Sequence, residues 1–61
     1  MILYIRDIKD TVSYYQVDTI HVENTIVSFT VNGKYTDILK KEICFASLRT
    51  EDGRLLQIVK E

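Results

Sequence analysis

Apolar and polar residues alternate with a period of two along Thr25-Ile26-Val27-Ser28-Phe29-Thr30-Val31, which puts Val27, Phe29 and Val31 on one face and Ser28 and Thr30 on the other. That is the signature of a strand with one face buried. Asn32-Gly33 follows at once, and then Lys34-Tyr35-Thr36. Both turn residues tolerate positive φ, so a two-residue type I′ hairpin is predicted here. A second hairpin is predicted from Ile43-Cys44-Phe45-Ala46-Ser47-Leu48-Arg49, the polar loop Thr50-Glu51-Asp52-Gly53, and Arg54-Leu55-Leu56-Gln57-Ile58-Val59. Both runs are apolar on both faces, as expected of strands at the centre of a core or at an interface.

Upstream, Ile2 to Arg6 reads as a first strand and Thr11 to Val17 as a second, with Asp7-Ile8-Lys9-Asp10 between them. At Asp18-Thr19 the apolar parity changes: Tyr15 and Val17 are odd-numbered, Ile20 and Val22 even. A one-residue shift in a period of two predicts a bulge or bend. Glu23-Asn24 then turns the chain into the strong strand at Thr25. Thr36 to Glu42 fits either a capped helical turn or an extension of the strand, and a strand followed by a short turn is the preferred reading. The prediction is a single all-β domain over residues 1–61. It has five or six short strands in an antiparallel meander or partly open barrel, SH3-like or OB-like in architecture.

Composition supports the class. Eight Ile, six Val and six Thr occupy 20 of the 61 positions, proline is absent, and the only glycines are Gly33 and Gly53, both in predicted turns. A chain this short buries a small share of its surface, and small scaffolds commonly add disulfides, a metal or a second subunit. Cys44 is the only cysteine, so no disulfide can form within the chain, and the single histidine, His21, lacks ligand-like neighbours at useful spacing. A homodimer is expected by this elimination. The unpaired cysteine suits a reducing cytoplasm. Met1 to Ile5 is too short for an export segment, and no apolar run is long enough to cross a bilayer. The chain starts with Met, carries no tag or linker scar, and is expected to be a complete small gene product.

The formal net charge is −1, which argues against both nonspecific coating of nucleic acid and imitation of it. Catalytic chemistry finds little footing. Cys44 sits in an apolar run where a thiol behaves as a small hydrophobe, and His21 alternates with apolar neighbours as an outward strand residue would. Asp7 with Asp10, and Glu51 with Asp52, read as loop solvation rather than a calcium loop. No catalytic, cofactor-binding or metal-binding residue is assigned.

Two surfaces remain. Tyr14 and Tyr15 are adjacent, so within a strand one of them must face away from the core. Leu55, Leu56 and Ile58 cannot all face one core, and they require either tight barrel closure or cover from another chain. Tyr14, Tyr15, Leu55, Leu56 and Ile58 are therefore the candidate protein interface. They point to a non-enzymatic, self-associating interaction module of the regulatory or inhibitory kind that phages and mobile elements encode. The alternative is a surface for single-stranded nucleic acid built from Lys34, Tyr35, Lys40 and Lys41, which combine stacking with phosphate contact. A small hydrolase or nuclease using scattered carboxylates ranks last.

Overall fold

A computed structural model of the protein describes residues 1–60. These residues form seven strands: β1 (Ile2–Asp7), β2 (Val12–Gln16), β3 (Thr19–Val22), β4 (Ile26–Val31), β5 (Lys34–Leu39), β6 (Ile43–Arg49) and β7 (Leu55–Val59). One 3-10 turn, Lys40–Glu42, separates β5 from β6. The strands make two antiparallel sheets, a four-stranded one ordered β2-β1-β6-β7 and a three-stranded one ordered β3-β4-β5. The domain is all-β and partly open, with free strand edges on both sheets.

The strand count exceeds the expected five or six because of the parity change at Asp18. The residues on either side of it belong to different sheets: β2 ends at Gln16, and β3 begins at Thr19 beside β4. Two backbone bonds pin the corner, from Val17 N–H to the Met1 carbonyl at 2.9 Å and from Asp18 N–H to the Thr30 carbonyl at 2.8 Å. Nor is the topology a simple meander. β1 lies between β2 and β6, and its register with β6 runs from Ile2 opposite Arg49 to Arg6 opposite Phe45 before a bulge at Arg6/Asp7.

The core fills the space between the sheets. Leu3 and Ile5 of β1 lie opposite Leu48 and Ala46 of β6, and Val27 and Phe29 of β4 close over them. Val17, just after β2, and Ile43, the first residue of β6, complete the buried set. Residues alternate along each strand, so Ile2, Tyr4 and Arg6 must point away from this core.

The turns follow local chemistry. Asn32 and Gly33 adopt φ of 52° and 78° between Val31 and Lys34, which pair directly, as a type I′ turn requires. After β1, the Asp7 carboxylate accepts from the N–H groups of Lys9 and Thr11, each at 2.9 Å, holding a loop in which Asp10 is left-handed at φ 63°. Residues 36–42 form the strand and short turn that the sequence favoured. Lys40 N–H bonds to the Thr25 carbonyl at 2.8 Å, and Ile8 N–H to the Glu42 carbonyl at 3.1 Å, fixing that turn against both sheets.

Candidate functional site

Residues opposite each other in a ladder project to the same side of the sheet. On β1 the outward residues are Ile2, Tyr4 and Arg6. Their partners are Gln16, Tyr14 and Val12 on β2 and Arg49, Ser47 and Phe45 on β6. β7 extends the same face with Leu55 opposite Arg49 and Gln57 opposite Ser47. The outer face of the four-stranded sheet thus carries Ile2, Tyr4, Val12, Tyr14, Phe45 and Leu55 among polar residues, and only the inner face is covered by the second sheet.

Three rings cross this outer face in a row. Tyr4 meets Tyr14 with centroids 5.2 Å apart at 65°, and Phe45 on the other side at 5.8 Å and 67°. These are edge-to-face pairs, the geometry favoured by the ring quadrupole. Tyr14 remains 69% exposed, Leu55 66%, Ile2 47% and Val12 45%. An open concavity of about 510 Å³ lies among these side chains, with Tyr4, Tyr14 and Phe45 as walls and Ile2, Leu55 and Arg49 completing its lining. Ser47, nearly buried and small, also lines it.

The electrostatics of the face differ from those of the chain. The protein has nine acidic residues against eight basic ones, yet none of the outward positions just named carries a carboxylate, and Arg6 and Arg49 are among them. Among the described residues Arg49 takes part in no ion pair, whereas His21 pairs with Glu23 and Arg54 with Asp52.

The five residues expected at a protein interface divide between the two faces. Tyr14 and Leu55 lie on the outer face. Tyr15 turns inward onto Phe29, and Ile58 packs against the core. Leu56 lies opposite Leu48 on the inner side of β7 and stays partly exposed at the sheet edge. Sequence reasoning missed Ile2, Tyr4, Val12, Phe45 and Arg49. The available signal was Ile2-Leu3-Tyr4-Ile5, which is apolar at both parities and so implies a strand with two apolar faces.

Lys34, Tyr35, Lys40 and Lys41 do not converge. Lys34 and Tyr35 are successive residues of β5 and project to opposite sides. Lys40 and Lys41 lie beyond the far end of that strand, roughly 20 Å from Lys34 at the usual rise per residue. Tyr35 is exposed opposite Thr30 on the three-stranded sheet, with Asp37 two residues along.

Cys44 is half-buried in β6. His21 is exposed, its Nε2 3.8 Å from Glu23 Oε1. Across the three-stranded sheet His21 lies opposite Ser28, and Ser28 opposite Asp37. That order puts the serine between the other two, whereas a nucleophile triad needs the histidine in the middle. In the β6–β7 loop, Asp52 accepts from the Thr50 hydroxyl and from Arg54 Nε. The Thr50 bond is the main cause holding the Asp52 carboxyl below its ordinary pKa, and the Arg54 bonds add to it. Among the described residues, no group of three or more His, Cys, Asp or Glu could hold a metal ion, and no helix is long and apolar enough to cross a membrane.

No family model, curated protein or solved structure matches the chain.

Proposed function

We propose that this protein is a non-enzymatic protein-interaction module and that the outer face of the four-stranded sheet is its contact surface. The observation that carries the reading is the row Tyr14–Tyr4–Phe45 with Ile2, Val12 and Leu55 around it, left uncovered on a sheet whose other face already holds the core. The most prominent apolar patch on a protein's surface is often a contact site. Tyrosine and arginine, both present here, are enriched at such sites. Placing the rings on the three neighbouring strands β2, β1 and β6 makes the surface rigid, so little ordering entropy opposes binding.

A small module of this kind suits a regulatory or inhibitory role in the cytoplasm, acting by occupying another protein's binding segment. The expected homodimer would use a different surface, because stacking two copies of this face would desolvate Arg49 of each copy with no carboxylate among the described outward residues to pair it.

The test is affinity capture from nuclease-treated lysate with the wild-type chain and with a Tyr14→Ser, Leu55→Ser double variant. Both residues are more than half exposed, so the variant is expected to fold, and circular dichroism would check this. Proteins retained by the wild type and lost by the variant support the surface. Identical recoveries from the two baits would refute it.

A further inference from the structure

Building on that contact surface, we infer that its occupant is an acidic amphipathic peptide segment, which places an apolar side chain in the concavity among Tyr4, Phe45 and Leu55 and a carboxylate on Arg49. Charge complementarity is the first argument. Among the described residues, the outward ladder positions carry arginine and no carboxylate although the chain as a whole is slightly acidic. Arg49 is exposed, pairs with no described residue, and lines the same concavity as the apolar walls. A carboxylate delivered there with an apolar neighbour is partly shielded from water, which strengthens its attraction to the guanidinium.

Size is the second argument. Four strands of about five residues make a face roughly 17 by 19 Å, on the order of 300 Å² in plan. Even with the relief of its side chains, that falls short of the roughly 800 Å² per partner of a stable domain–domain interface. A segment of a few residues matches it better than a second copy of the chain does.

Ring geometry separates this occupant from single-stranded nucleic acid. The rings are tilted by 65° and 67° to one another, so they do not offer the parallel faces on which successive bases stack. A nucleic-acid strand also needs a basic track along its backbone, whereas Lys34, Lys40 and Lys41 belong to β5 and the 3-10 turn of the other sheet.

The experiment is selection of random short peptides displayed against the immobilised folded protein. The selected peptide is then synthesised, its affinity measured by fluorescence polarisation, and its site mapped by amide chemical shifts. Selected sequences should combine Asp or Glu with Leu, Phe or Met and should shift Tyr14, Ser47 and Leu55. Binding should weaken as salt rises from about 50 to about 500 mM. Arg49→Glu should weaken binding about tenfold or more, Arg49→Lys should retain most of it, and Arg54→Glu should leave it unchanged. Neutral or basic peptides mapping to the same residues would overturn the acidic occupant while leaving the contact surface standing. No enrichment, or shifts elsewhere, would overturn both. Tighter binding of labelled oligo(dT) to the same face would overturn the peptide in favour of nucleic acid.

Discussion

The ring of Tyr15 meets the ring of Phe29 with centroids 4.9 Å apart at 46°, joining β2 of one sheet to β4 of the other. Its neighbour Tyr14 points the opposite way and packs against Tyr4 on the outer face. Two adjacent tyrosines therefore serve different ends, one closing the core and the other standing on the exposed outer face.

Stability should separate them. A chain of this size has a total stability of only about 3–9 kcal/mol. Tyr15→Ala removes an inter-sheet ring and should cost roughly 2–4 kcal/mol, a large share of that total. Tyr14→Ala loses mainly one edge-to-face pair, about 1 kcal/mol. Urea denaturation of the two variants checks the ranking, and equal losses would contradict the assignment of faces.

Gly33 carries the Asn-Gly turn at φ 78°, and a Cβ built there meets nothing within 4 Å. The requirement is thus conformational rather than steric. Gly33→Ala should cost about 1–2 kcal/mol through left-handed strain alone. In a domain this small each kcal/mol corresponds to roughly 4–8 °C in Tm, which a thermal melt resolves.

The β6–β7 loop should be acid-sensitive. Thr50 and Arg54 stabilise the ionised Asp52 carboxyl, so its folded pKa lies below its unfolded value. The sign follows from linkage. The contribution is complete above the unfolded pKa and disappears as pH falls through the folded one, on the acid side of the ordinary carboxylate range. Carboxyl NMR titration should find Asp52 titrating lower in the protein than in a loop peptide, and Thr50→Val should raise it. An unchanged midpoint in Thr50→Val would remove Thr50 as the cause.

Much of the local structure was legible in the chain. The alternation at Val27, Phe29 and Val31, the Asn32-Gly33 turn and the Thr50–Gly53 loop all act over neighbouring residues, where period and turn chemistry decide the outcome. The parity change at Asp18 was visible too, although its meaning as a corner between sheets was not. The candidate sites were less legible. Lys34 and Lys40 look close in sequence, but an extended strand carries them apart. Tyr4 and Phe45 look unrelated, yet a ladder sets them side by side.

By itself the sequence determined that the chain is all-β, where its hairpins turn, and that Tyr14 and Tyr15 must face opposite sides. Alternation and turn propensity are local properties, and they are written residue by residue. Only the tertiary structure decided that β1 pairs with β6, that the strands divide into two sheets, and that Tyr14 rather than Tyr15 faces out. Those outcomes depend on which apolar faces meet across more than 40 residues of chain, and many strand orders satisfy the same local pattern. The register between Ile2 and Arg49 selects one of them, and in doing so assembles the outer face with its rings and its arginines.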